Sequence, residues 1–204
     1  MIKVPFAPPR MDQKIVDEVI VTLYSGWITT GPRTRKLEEN LESYVGVSNV
    51  VCLGSATAGM ELALRWFGIG EGDEVIVPVY TYCSTANVVL HCGATVVFCD
   101  IRNDFNIDIS KIEALITDKT KAIIPVDIGG MPCEFDELMA LVKKNDIQQK
   151  FTPKTEEQKQ LNRILVLADA AHSFGANYKG RMSGSLADIS TFSFHAVKNL
   201  VTAE

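Results

Sequence analysis

The feature that most constrains the fold is a repeated alternation of short apolar runs with stretches whose apolar residues recur at helical spacing. The apolar runs predict strands at 49–53, 74–79, 95–99, 121–126 and 164–168. Several of these runs are continuously apolar, which is typical of parallel strands covered on both faces. The strand–helix order then requires right-handed crossovers. We therefore expect an α/β fold, a three-layer αβα sandwich around a mostly parallel sheet.

Helices are predicted before and between these strands, at 12–24, 33–45, 55–67, 83–91, 109–116 and 134–144. Gly46 suits the end of the second helix, because glycine readily adopts the left-handed conformation found there. One stretch interrupts the rhythm: 148–162 is polar and rich in Lys, Gln and Glu. We interpret it as a polar insertion, a solvated loop or helical excursion. A partner-binding insertion is the alternative.

Charge and cysteine content exclude several classes of protein. The net charge is -5, from 20 basic and 25 acidic residues without a basic cluster, which argues against a nucleic-acid partner. No apolar run approaches the roughly 20 residues that span a bilayer, and the start at 1–5 lacks the apolar core of a signal peptide. Five cysteines without a Cys-x-x-Cys pair predict reduced thiols in the cytoplasm, with neither a disulfide framework nor a metal site.

The segment Gly-Ser-Ala-Thr-Ala-Gly at 54–59 is the first with possible chemistry, since it joins an apolar run to a predicted helix. Small residues let backbone N–H groups converge at a helix N-terminus, where the helix dipole attracts a phosphate. A serine N-cap followed by small residues for close packing would leave the same pattern. The Gly-Lys-Ser/Thr ending of a Walker loop is missing.

The second segment is an apolar strand that ends in Asp169, with His172 three residues further on. Ligands of open α/β sheets bind at the carboxyl ends of the strands, so Asp169 is a candidate site residue. An aspartate that caps the following turn is the simpler alternative. A hydrolase triad is disfavoured because the Gly-x-Ser-x-Gly elbow is absent.

The third segment places Lys198 among apolar and small residues, after a β-prone stretch at 190–194. A desolvated lysine favours its neutral form and becomes a competent amine nucleophile. The alternative is a surface lysine whose stem packs while its charge stays in water.

The order of these segments resembles the fold-type I pyridoxal-phosphate enzymes, and specifically the DegT/DnrJ/EryC1/StrS family of nucleotide-sugar aminotransferases. The forms Ser-Ala-Thr-Ala-Gly-Met and Ser-Phe-His-Ala-x-Lys-Asn look most like the branch that makes UDP-4-amino-4-deoxy-L-arabinose. The motifs that carry the resemblance are Pro-Phe-Ala-Pro-Pro at 5–9, Ser-Gly-Trp-Ile-Thr-Thr-Gly-Pro at 25–32, Ser-Ala-Thr-Ala-Gly-Met at 55–60, Gly-Asp-Glu-Val-Ile-Val-Pro at 72–78, Asp-Ala-Ala-His at 169–172 and Ser-Phe-His-Ala-Val-Lys-Asn at 193–199.

The resemblance implies a role for each matching residue. Lys198 would attach covalently to pyridoxal phosphate and then move the substrate proton, while Asp169 would pair with the pyridine nitrogen. Thr57, Ala58 and Ser193 would hold the phosphate. Tyr82 would stack on the ring, and His172 would lie beside its phenolic oxygen. The implied cofactor contacts are therefore Thr57, Ala58, Tyr82, Asp169, His172, Ser193 and Lys198.

The resemblance also implies glutamate and a nucleotide-linked keto sugar as substrates and a homodimeric assembly. Two alternatives stay open: a pyridoxal-phosphate sugar dehydratase, whose relatives replace the lysine by histidine, and a non-catalytic regulator or binding module. Asp127 stands where many relatives have histidine, and it is assigned no role. The chain stops six residues after Lys198, at Glu204. We therefore expect 1–204 to be a large domain cut after the lysine, without its small domain and poorly active alone.

Overall fold

The computed structural model describes residues 8–202. The chain start at 1–5, most of the 5–9 motif and the final Glu204 lie outside the described residues. The described chain divides into two units, one of 8–52 with 194–202 and the other of Leu53–Ser193. None of the helices in the described residues is both long and apolar enough to cross a membrane.

The first unit contains two helices, α1 (Gln13–Tyr24) and α2 (Pro32–Val45), both predicted from the sequence. The Asp12 carboxylate begins α1 by accepting the N–H of Ile15 at 3.2 Å. Helix α2 ends at Gly46, whose φ of 78° is the expected left-handed cap. No side chain of α1 is buried, so its apolar face is not part of the core of this unit.

The strand predicted at 49–53 is wrong, because this segment pairs with no strand of the described residues. Side chains of α2 occupy its backbone donors instead. The N–H of Val50 donates to the Glu42 carboxylate at 3.1 Å, and the N–H of Cys52 donates to Glu38 at 2.8 Å. The segment therefore satisfies its backbone without a ladder.

The second unit is built on a five-stranded parallel sheet. Its strands, with an antiparallel hairpin formed by β5 and β6, are β1 (Glu74–Pro78), β2 (Thr95–Cys99), β3 (Thr120–Ile123), β4 (Leu165–Asp169), β5 (Asn177–Tyr178), β6 (Arg181–Met182) and β7 (Ile189–Thr191). The order across the sheet is β2-β1-β3-β4-β7. All residues of β3 and β4 are buried, so the centre of the sheet is covered on both faces. The predicted α/β fold class is confirmed.

Six helices accompany this sheet, and the longer ones match the predictions. They are α3 (Ala56–Trp66), α4 (Ser84–His91), α5 (Ile109–Ile112), α6 (Phe135–Val142), α7 (Asn145–Gln148) and α8 (Glu156–Leu161). A 3₁₀ turn at Glu113–Leu115 continues α5. Fully buried Leu64, Ile76, Ile123, Leu138 and Val166 from these helices and strands meet in one apolar core.

The β5–β6 hairpin is absent from the sequence prediction. Its two strands have two residues each, too short for an apolar pattern. The turn residues Lys179 and Gly180 have φ of 52° and 86°, as a tight two-residue hairpin turn requires. The Lys-Gly pair was the only local signal for it.

The polar stretch 148–162 forms α8 and is anchored by buried polar contacts. Gln158 is fully buried and donates from Nε2 to the carbonyl of Phe67 at 2.8 Å. Lys154 pairs its Nζ with Asp73 Oδ1 at 2.6 Å. Because Asp73 directly precedes β1, this stretch covers the amino-terminal edge of the sheet.

A buried lysine adds a further anchor at that edge. Lys121 on β3 is 1% exposed, and its Nζ donates to the carbonyl of Thr152 at 2.8 Å. The same ammonium lies 4.8 Å from the centre of the Phe151 ring. Desolvation lowers the pKa of Lys121.

Candidate active site

The carboxyl-terminal edge of the sheet gathers most of the predicted site residues. Strands β4 and β7 run parallel, and Asp169 at the end of β4 is in register with Thr191 at the end of β7. Helix α3 begins beside them, since a Cβ added at Gly59 would lie 3.2 Å from Thr191 Cγ2. Glycine therefore permits the close approach that brings the start of α3 to this edge.

The start of α3 offers backbone donors for an anion. Ser55 is the N-cap, and its Oγ accepts the N–H of Ala58 at 3.0 Å. The other N–H groups of the first turn have no acceptor within the helix, and the helix dipole places partial positive charge there. Thr57 is half-buried in this turn and Ala58 is exposed. The structure thus shows the N-cap, and anion binding by this helix start stays a prediction.

Asp169 is a buried carboxylate with specific donors. Asp169 is only 4% exposed. Oδ2 accepts a hydrogen bond from Thr85 Oγ1 at 2.8 Å, and Oδ1 accepts one from the N–H of Ala171 at 3.3 Å. Burial of a charge is costly unless such donors compensate it. The Ala171 contact is the predicted turn cap, but the Thr85 contact reaches a different helix.

Three further predicted residues lie in the second unit. Tyr82 stands between β1 and α4 with 74% of its surface exposed. His172 is exposed in the turn that follows β4. Ser193 is half-buried, two residues beyond the end of β7. All three follow carboxyl ends of parallel strands.

Lys198 belongs to the first unit, where it lies in a turn. Its backbone N–H donates to the carbonyl of His195 at 2.8 Å, and the residue is half-buried. His195 thus contributes to this turn through its backbone. His91, the third histidine, has Nδ1 at 3.0 Å from Glu61 Oε2.

Asp127 is a buried acid for which the sequence predicts no role. Its residue is 1% exposed, and its carboxylate accepts from Ser173 Oγ at 2.6 Å and from the N–H of Cys133 at 3.1 Å. Ser183 Oγ lies 2.6 Å from Ser173 Oγ, and the N–H of Asp127 donates to the Asp169 carbonyl at 3.1 Å. Burial raises the pKa of Asp127 to about 6. The backbone of Asp127 therefore contacts the end of β4, and its carboxylate contacts the turn after β4 and Ser183, which directly follows β6.

The described residues offer little to metal or thiol chemistry. Between residues 8 and 202 no group of three or more His, Cys, Asp or Glu could hold a metal ion. Burial raises the pKa of Cys99 to about 11 and that of Cys133 well above its ordinary value. A raised pKa keeps these two thiols protonated at neutral pH. Since the thiolate is the reactive form of cysteine, their burial makes them unreactive.

A parallel sheet with a helix start and a buried carboxylate at its carboxyl edge defines an open α/β protein, the class whose ligands bind at this edge. Comparison with known proteins is more specific. The chain matches the model of the DegT/DnrJ/EryC1/StrS aminotransferase family over residues 9–149 and 154–204, and it belongs to that family.

The relatives include proteins of sugar metabolism. The chain is 41% identical over 201 residues to the spore coat polysaccharide biosynthesis protein SpsC of Bacillus subtilis, covering 98% of the chain and 47% of SpsC. It is 40% identical to the UDP-4-amino-4-deoxy-L-arabinose–oxoglutarate aminotransferase of Shewanella sediminis, again covering 98% of the chain and 47% of the relative.

A solved structure supports the same family. Spr1654 from Streptococcus pneumoniae, assigned as a sugar aminotransferase, is 48% identical with a TM-score of 0.95. The match covers 98% of this chain and 51% of Spr1654, whose structures include PLP and PMP forms. The predicted family is confirmed, and pyridoxal phosphate is the family's cofactor. The chain spans about half the length of these relatives.

Proposed function

We propose that the protein is a pyridoxal-phosphate-dependent aminotransferase that moves an amino group from glutamate to a nucleotide-linked keto sugar. The observation that carries this proposal is the buried Asp169 at the carboxyl edge of the sheet, beside the start of α3. The relatives in polysaccharide and amino-sugar synthesis support the sugar acceptor. The oxoglutarate in the name of one relative supports glutamate as donor, since glutamate becomes oxoglutarate when it gives up its amino group.

The residues of the second unit fit the phosphate of this cofactor. The first turn of α3 would bind it through free backbone N–H groups and the Thr57 hydroxyl. Since the N–H of Ala58 already donates to the capping Ser55 Oγ, Ala58 would serve by leaving the helix start unobstructed. Ser193 would add a hydroxyl from the end of β7.

The remaining residues fit the ring and its chemistry. When bound, pyridoxal phosphate supplies a ring that withdraws electrons from the α-carbon of the amino donor. Asp169 would hold a proton at the pyridine nitrogen, which its burial beside Thr85 favours. Tyr82 would cover one face of the ring, and His172 would approach its phenolic oxygen. Lys198 would bind the cofactor through Nζ and then carry the proton between the α-carbon and C4′.

We further propose that residues 1–204 form the cofactor domain of a cytoplasmic homodimer. The match to about half the length of each relative supports the proposal that these residues are one part of a larger protein. The polar stretch 148–162 is proposed as an addition to this domain, and residues 150–153 within it lie outside the family match.

Borohydride reduction followed by peptide mapping tests the assignment of Lys198. The pyridoxyl group should be found on Lys198, and Lys198→Ala should abolish both the label and amino transfer. Lys119→Ala is the matched control, because Lys119 is exposed at the opposite edge of the sheet. A label on another lysine would refute the assignment. Absence of any cofactor absorption band in the full-length protein would instead favour a non-catalytic binding protein.

A further inference from the structure

Thr85 is a buried hydroxyl in contact with the Asp169 carboxylate. It is the second residue of α4 and is fully buried. Its Oγ1 donates to Asp169 Oδ2 at 2.8 Å, although the two residues are 84 positions apart in the sequence. A buried hydroxyl that reaches a buried carboxylate from a separate element fixes the orientation of that carboxylate.

Thr81 extends this contact into a directional chain. Its Oγ1 lies 2.8 Å from Thr85 Oγ1. Each hydroxyl has one proton, and an ionised carboxylate can only accept. Since the Thr85 proton is given to Asp169, Thr81 must donate to Thr85. Successive hydrogen bonds of this kind polarise one another, so the outer hydroxyl strengthens the inner bond.

We propose that Thr85, supported by Thr81, is a positioning residue that keeps the Asp169 carboxylate ionised and oriented toward the cofactor ring. This inference rests on the proposed function, in which Asp169 holds the proton of the pyridine nitrogen. A hydroxyl that donates to a carboxylate stabilises its charged form and lowers its affinity for a proton. Without that donor, the shared proton would move toward Asp169 and the ring would lose part of its positive charge.

The substitution Thr85→Val removes the hydroxyl while keeping the shape of the side chain. A hydrogen bond to a charged group corresponds to roughly a 10- to 100-fold effect. We therefore expect the affinity for pyridoxal phosphate and the rate of amino transfer from glutamate each to fall by about 10-fold or more. Thr85→Ser keeps the donor and should restore most of both. Thr81→Val should give a smaller loss that disappears in the Thr85→Val background.

A double-mutant cycle with Asp169→Asn separates positioning from general support of the fold. If Thr85 acts through the carboxylate, Thr85→Val should add little to the loss already caused by Asp169→Asn. Cofactor affinity, measured by absorbance titration, provides this cycle without relying on turnover. Thr120→Val is the structural control, since Thr120 is an equally buried threonine whose Oγ1 accepts a hydrogen bond at the opposite edge.

The outcomes distinguish this inference from the proposed function. Wild-type affinity and rate in Thr85→Val, together with a severe defect in Asp169→Asn, would overturn the role of Thr85 alone. Fully additive losses would show that Thr85 supports the fold and not the carboxylate. No effect of Asp169→Asn would instead refute the proposed function.

Discussion

Asp127→Asn should alter how the stability of the protein depends on pH. The Asp127 carboxylate lies buried beneath the turn that carries His172, with Ser173 and Cys133 as hydrogen-bond donors. Asparagine has nearly the same shape and keeps an oxygen for the Cys133 N–H, but it carries no charge. Ser173 Oγ also lies 3.4 Å from the Ala170 carbonyl, which can take its proton once the side chain of residue 127 no longer accepts it.

The magnitude follows from the shift in pKa. Burial raises the pKa of Asp127 from 3.8 to about 6, so the folded protein binds this proton more tightly than the unfolded chain. Two pKa units correspond to about 3 kcal/mol. This stabilisation is fully present below pH 3.8 and is lost as the pH rises through about 6. The asparagine variant lacks this loss, so it should gain about 3 kcal/mol on the wild type across that interval.

Urea unfolding of both proteins at a series of pH values measures the effect. The difference between their free energies of unfolding is informative, because all other titratable groups are the same in both proteins. Asp146→Asn, at an exposed position on α7, provides the control and should follow the wild type. Parallel curves for the wild type and Asp127→Asn between about pH 4 and 7 would contradict the reasoning.

Two other substitutions test the site and the packing of the turn after β4. Asp169→Asn should keep covalent cofactor attachment but slow amino transfer by ~10²-fold or more, since a preorganised charge is lost; turnover near the wild-type rate would show that Asp169 only caps a turn. Gly130→Ala should lower the free energy of unfolding more than Gly180→Ala by about 1–3 kcal/mol. Both glycines have a φ of 86°, but only at position 130 would a Cβ meet another backbone atom, the His172 carbonyl oxygen at 2.8 Å. If urea unfolding gave equal losses of stability for the two variants, the turn after β4 would have to shift and accommodate the new methyl group without cost.

The main elements of the fold could be predicted because their patterns are local. A few consecutive residues are enough to predict β1 and β4 from their apolar runs and the helix start from its cap at Ser55. The strand predicted at 49–53 failed for the opposite reason. An apolar run indicates a tendency to extend, but pairing depends on partners elsewhere, and here Glu38 and Glu42 take the backbone donors.

The same distinction applies to the site. Asp169 could be predicted because a strand that ends in an acid is visible in the sequence. Thr85 could not be, because its contact with Asp169 joins residues 84 positions apart. Asp127 also follows a predicted strand, but only the structure shows its burial and its contact with Ser173. The roles of Lys198, Tyr82 and His172 stay predictions from the family resemblance.

The buried Lys121 depends on contacts from a second part of the chain, residues 150–153. Its ammonium can remain in the core because Thr152 supplies a carbonyl and Phe151 supplies an aromatic face. Both partners lie in residues 150–153, which fall outside the family match, whereas Lys121 lies within it. In a relative that lacks those four residues, a lysine at position 121 would lose both contacts and keep only the carbonyl of Asp118, which lies 3.2 Å from its Nζ. We therefore expect lysine at this position to occur in relatives that also have residues equivalent to 150–153.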